Sequence, residues 1–175
     1  ISLLALGVQT PGTSIAAEKT ALPTFSAEEL FKRYKPAVVK ITLKQQQVPI
    51  GTGTGFFVSD DGLLVTNFHV VKNAMRTGSF TAEFTLADGR VLKNFLVGPC
   101  RDERGLDLCV LKLAIKPTAW FNPTSYRPAP GETVYVIGHP QGLDFSITNG
   151  IVSALREEDI SELQISAAIS PGNSG

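Results

Sequence analysis

Ser174 stands in the stretch Ser170-Pro171-Gly172-Asn173-Ser174-Gly175, and far upstream His69 stands in Thr66-Asn67-Phe68-His69-Val70-Val71. A serine hydroxyl is a weak nucleophile until a base takes its proton, so a glycine-flanked serine gains chemical meaning where an imidazole can reach it. Between the two, Asp107 interrupts the apolar run Leu106-Asp107-Leu108-Cys109-Val110-Leu111. A carboxylate there is costly to bury unless a donor meets it, and an imidazole N–H is such a donor. Together the three side chains have the makings of acyl transfer to serine and then to water. Singly, each has a plainer reading. His69 would be a core histidine bonded to a carbonyl, Asp107 a strand-edge carboxylate facing water, and Ser174 a turn residue among turn formers. Their order along the chain favours the chemical reading.

Those residues need elements to carry them. Ser26-Ala27-Glu28-Glu29 has the pattern of a capping box and predicts a short helix, which Pro36 ends by removing a donor and pushing its predecessor toward extended backbone. Val38, Val39, Ile41 and Leu43 begin a strand, and residues 52–59 form a second. Asp60-Asp61-Gly62 reads as a hairpin turn, and the strand 63–66 delivers His69 at its end. Strands over 80–86 and 91–97 flank the turn Ala87-Asp88-Gly89-Arg90. The charged stretch Arg101-Asp102-Glu103-Arg104 reads as a solvated loop tip, followed by the strand that bears Asp107. About six short strands at hairpin spacing predict a closed antiparallel barrel. Residues 115–131, rich in proline and without periodicity, read as a linker. Strands over 133–138, 145–155 and 163–168 start a second set. Gly51-Thr52-Gly53-Thr54-Gly55 is no phosphate loop, because neither Gly-Lys-Ser/Thr nor a helical pattern follows; alternating glycines suit close backbone approach in a coiled sheet.

Composition sets the outer limits. The chain has 175 residues, 43% of them hydrophobic, enough for a true core. Sixteen basic and 16 acidic residues cancel, so no global field draws the chain to nucleic acid or anionic lipid. Residues 1–16 read as the remnant of a secretory signal peptide: an apolar stretch, then small residues where a signal peptidase cuts. The expected organisation is that remnant, a linker and short helix over 17–36, a first barrel over 37–114 carrying His69 and Asp107, a linker over 115–131, and a partial second barrel over 132–175 carrying Ser174.

Taken together, Gly51 to Phe56, Val65 to Val71, Asp107 to Lys112, Ile137 to Gly142, Gly150 to Ala154 and Pro171 to Gly175 resemble, in order, the protease domain of the HtrA/Deg branch of trypsin-like serine proteases. The order His, Asp, Ser is that of the chymotrypsin fold. The resemblance implies an all-β, chymotrypsin-like double antiparallel barrel, the second barrel incomplete, with a short N-terminal helix. It makes His69 the general base, Asp107 the holder of its tautomer and Ser174 the nucleophile, with the backbone N–H groups of Gly172 and Ser174 as the oxyanion hole. Ala168 would floor the specificity pocket. With no carboxylate there, the pocket should take small or medium aliphatic side chains.

The activity so implied is a serine endopeptidase acting on unfolded or misfolded polypeptides, exported to the periplasm or secreted. No cofactor or metal is implied, nor a nucleic-acid partner. A homotrimer or larger assembly and PDZ domains beyond residue 175 are further expectations. The alternative is a non-catalytic peptide-binding or chaperone module of the same fold, or an inactive fragment. Cys100 and Cys109 either close a hairpin as a disulfide or lie buried as thiols. A zinc site built from them with His69 and His139 matches no ligand spacing. His139 itself, in Gly138-His139-Pro140, reads as a surface-loop histidine.

Overall fold

The computed structural model describes residues 25–75, 78–103, 106–139, 145–157 and 161–175. The expected signal remnant, residues 1–16, and the first part of the linker lie outside them.

The described chain begins with helix α1, Ala27–Tyr34, and its start is set locally. Ser26 Oγ accepts the Glu29 N–H at 3.2 Å, while the Glu29 carboxylate accepts the Ser26 N–H at 2.8 Å, so two otherwise orphaned donors are met reciprocally. Glu28 and Glu29 in the first turn and Lys32 and Arg33 in the last complement the helix dipole. A single 3-10 turn over Lys35–Ala37, with Pro36 inside it, then turns the chain into the sheet.

Seven strands follow in chain order: β1 (Val38–Gln45), β2 (Val48–Phe57), β3 (Leu63–Thr66), β4 (Phe80–Thr85), β5 (Val91–Leu92), β6 (Phe95–Glu103) and β7 (Leu106–Leu113). A short helix α2, Phe68–Val71, interrupts them after β3. They form one curled antiparallel sheet in the order β5-β4-β1-β2-β3-β7-β6. Alternation decides which side chains enter it. Val39, Ile41 and Leu43 of β1 point inward and are buried, as are Cys109, Leu111 and Leu113 of β7. Val39, Ile41, Cys109, Leu111 and Leu113 make a contiguous core with Phe57, Leu64, Val71, Ala82, Phe84 and Leu86.

Two expectations change here. The single strand expected over 91–97 is two strands, β5 and β6. The charged stretch expected as a loop tip instead continues β6 through Glu103, where Asp102 faces Asp107 across the ladder. β6 is an edge strand, so its backbone can pair with β7 while Arg101 and Asp102 stay exposed to water. Cys100 and Cys109, directly opposite in that same ladder, are joined as a disulfide.

Residues 115–131 carry no strand. They lie along the first sheet, the Phe121 N–H donating to the Phe57 carbonyl at 2.8 Å and the Phe121 ring stacking on Tyr34 with centroids 5.1 Å apart. A second sheet of three strands, in the order β10-β9-β8, comprises β8 (Thr133–Gly138), β9 (Ser146–Glu157) and β10 (Ser161–Ile165). The result is a mostly β, chymotrypsin-like architecture, with a seven-stranded curled sheet, a three-stranded sheet and one short helix at the entry.

Candidate active site

The site is built at the seam between β3, β7 and α2. β3 ends at Thr66, and Asn67 adopts extended backbone (φ −70°, ψ 141°) before the single turn of α2. The first N–H groups of a helical turn have no partner within it. Asn67 does not cap them. Its side-chain amide instead donates to the Asp107 main-chain carbonyl at 2.6 Å, tying the start of α2 to the start of β7.

The Asp107 carboxylate takes the place of the cap. Its Oδ1 accepts the His69 N–H at 2.9 Å, and its Oδ2 hydrogen-bonds His69 Nδ1. An ionised carboxylate only accepts, so the proton of this contact belongs to Nδ1 and the lone pair of the neutral ring belongs to Nε2. Partial burial would by itself raise the Asp107 pKa. The hydrogen bonds from the His69 ring and the His69 N–H, the charge of the imidazole when protonated, and the Phe68 N–H together outweigh that and hold the carboxyl below its usual range. The His69 side chain is 49% exposed, so its other face is open to a substrate.

The Ser174 loop docks on Thr54 of β2, beside the end of β3. Asn173 N–H donates to the Ser170 carbonyl at 3.1 Å around Pro171 and Gly172, and Gly172 has φ 99°. Proline followed by a left-handed glycine is the signature of a type II turn. The Ser174 carbonyl accepts the Thr54 N–H at 2.7 Å, and the Gly172 carbonyl accepts the Thr54 hydroxyl at 2.7 Å. A Cβ added to Gly53 would lie 2.5 Å from Val70 Cγ1 and 3.1 Å from the Ser174 carbonyl oxygen. The space that a Gly53 side chain would fill is therefore taken by Val70, the neighbour of His69, and by the Ser174 carbonyl, so the bare glycine lets both come close to the same point of β2.

Two other residues take places of their own. Ala168 is exposed on the segment after β10, its carbonyl accepting the Thr148 hydroxyl at 3.0 Å. His139, expected on a surface loop, is 1% exposed: its ring packs edge-on against Phe145 with centroids 4.0 Å apart, and its N–H donates to Thr54 Oγ1 at 3.2 Å. It directly follows β8, where its backbone reaches Thr54 of the first sheet, and Phe145 packs on its ring. Among the described residues no cluster of three or more His, Cys, Asp or Glu is arranged to hold a metal ion. The glycines of 51–55 stand out in the sequence, whereas Thr54 and Asn67 do not. Their signals were a hydroxyl set between glycines that admit a close neighbour, and an amide two residues before the histidine.

Comparison with known proteins converges on one family. The trypsin-like peptidase domain matches residues 53–175. The DegP-like periplasmic serine endoprotease of Halomonas elongata is 38% identical over 70% of this chain and 26% of its own length. The serine protease HTRA1 of Xenopus laevis is 33% identical over 84% of this chain and 34% of its own length. The chain thus spans about a third, or less, of the length of these curated relatives. Among solved structures, the crystal structure of Deg5 superposes with a TM-score of 0.67 at 31% identity, over 86% of this chain and 79% of that one.

Proposed function

We propose that this chain, which belongs to the HtrA-type family of trypsin-like serine proteases, is the catalytic part of a serine endopeptidase in which His69, Asp107 and Ser174 work as a triad. His69 Nε2 takes the Ser174 proton as Oγ attacks the scissile carbonyl, then returns it to the leaving amine. Asp107 holds the Nδ1–H tautomer and offsets the imidazolium charge. The oxyanion is met by the N–H groups of Gly172 and Ser174. Water then releases the acyl group by the same proton transfers in reverse.

The observation that carries this reading is the His69–Asp107 pair, with Nδ1 committed to the carboxylate and half of the side chain exposed, while Val70, the next residue, and the anchored Ser174 carbonyl both come up to Gly53. Ala168, small and uncharged, favours cleavage after Val, Ala, Leu or Ile. Each methylene too many or too few discriminates by only about 1–3 kcal/mol. Such residues are buried in folded proteins, so unfolded polypeptides are the substrates proposed. Export to the cell envelope follows the periplasmic relative, and assembly as a trimer or larger completes the proposal.

The test uses the whole protein. It should digest an unfolded casein and label with a fluorophosphonate at Ser174, and Ser174→Ala should lower digestion by about 10⁴-fold or more. Digestion that survives the substitution removes Ser174 from the mechanism. Binding of unfolded chains with neither labelling nor digestion would leave a holding module instead.

A further inference from the structure

We propose that Thr54 is the positioning residue of the Ser174 loop, setting the peptide planes on both sides of the nucleophile through its hydroxyl and its main-chain N–H. This rests on the endopeptidase reading for its catalytic consequence, while its structural content stands on the contacts themselves. Thr54 lies in β2, paired with Lys40 of β1, and is 4% exposed. Its hydroxyl and its main-chain N–H both reach the Ser174 loop. The hydroxyl donates to the Gly172 carbonyl at 2.7 Å and accepts the His139 N–H at 3.2 Å. The main-chain N–H donates to the Ser174 carbonyl at 2.7 Å, and the carbonyl accepts the Thr66 hydroxyl at 2.8 Å. A hydroxyl has one proton, and here it is committed to Gly172 while a lone pair is committed to His139.

The consequence is geometric. The Gly172–Asn173 peptide is held at both ends, its carbonyl by Thr54 and its N–H by Ser170, so its plane cannot rotate without losing two hydrogen bonds. With that plane held, and Gly172 left-handed at φ 99° inside the turn closed by Asn173 and Ser170, the freedom of the adjoining Pro171–Gly172 peptide, which carries the Gly172 N–H, is restricted. The peptide after Ser174 is held in turn by the Thr54 N–H. One residue of the first sheet thus restrains both the donor proposed for the oxyanion and the backbone from which the serine side chain leaves. Oxyanion donors stabilise a transition state only when aimed beforehand, because reorienting them during reaction costs what they would supply.

Substitution separates the two contacts, since the main-chain bond survives any side chain. In the whole protein, Thr54→Val keeps the shape and removes the hydroxyl, whereas Thr54→Ser keeps the hydroxyl. Two readouts are needed. For a short peptide substrate, Thr54→Val should lower kcat by roughly tenfold or more with KM nearly unchanged, as for weakened aim of an oxyanion donor, and Thr54→Ser should recover most of it. The amide of Asn173 should exchange with deuterium about tenfold faster in Thr54→Val, the equilibrium weight of one hydrogen bond, and at the wild-type rate in Thr54→Ser. Wild-type kcat in a folded Thr54→Val protein overturns the catalytic consequence, and unchanged Asn173 exchange overturns the positioning role. A wild type that exchanges as described yet never labels at Ser174 would overturn the endopeptidase reading and leave the positioning role standing.

Discussion

The two sheets keep their shape by different means. The seven-stranded sheet closes on a continuous apolar interior, with Ile41, Phe57, Leu64, Phe84, Leu111 and Leu113 each at 0–1% exposure. The three-stranded sheet and the segment after it bury, among the described apolar residues, Val152 and Ala167, and they leave Tyr135, Ile151 and Ile169 more than a third exposed. His69 and Asp107 therefore stand on a scaffold that packs itself. Ser174 stands on a turn whose tightest anchors, the Thr54 N–H and hydroxyl, belong to the other sheet. The general lesson is that a loop, here the one bearing the proposed nucleophile, can be held by hydrogen bonds to a well-packed neighbour where its own side of the molecule offers little apolar burial.

This contrast can be tested at several strengths. The largest effect is expected at Asp107→Asn, which reverses the hydrogen-bonding sense at His69 Nδ1. It should lower kcat by about 10⁴-fold, as loss of the correct tautomer does, with the fold intact. A loss of only tenfold would mean that Asn67 and the α2 backbone hold the ring without the carboxylate. Next come the two interiors. Phe84→Ala should destabilise by about 3–5 kcal/mol. Val152→Ala removes two buried carbons at about 0.8 kcal/mol each, and should cost about 1–2 kcal/mol. Urea unfolding of each variant measures the gap, and equal losses would end the contrast.

The smallest effect is in acid. The Asp107 carboxyl is held below its ordinary value in the folded state, so its ionisation stabilises the fold above that ordinary value. The contribution is lost as pH falls through the lowered one. The stability difference between wild type and Asp107→Asn should shrink over that acidic window alone. Parallel profiles throughout would show that the His69 contact does not hold the carboxylate.

Local features were legible in the sequence and distant ones were not. The capping box was readable because Ser26 and Glu29 satisfy each other three residues apart. The ends of β3 and β8 follow from alternation interrupted by turn residues. The turn between β1 and β2 was not readable: Gln46 and Gln47 both take left-handed backbone, φ 48° and 68°, with no glycine, asparagine or aspartate to announce it. There the pairing of the flanking strands imposes the turn. The burial of His139 depends on Phe145 and on Thr54, and no window around Gly138-His139-Pro140 contains Thr54. The pairing of His69 with Asp107 could be anticipated, because a carboxylate in an apolar run needs a donor. The use of Thr54 could not, because its need is met 118 residues away.

That separation has a consequence in time. Residues 63–113 already contain β3, α2 and β7, so a chain emerging from synthesis can form the imidazole–carboxylate pair early, while the serine arrives only after the second sheet and its turn have been laid against β2. A half-made molecule would then hold the proposed base with nothing to activate. Latency of this kind needs no inhibitory segment. It follows from where one carbonyl finds its donor.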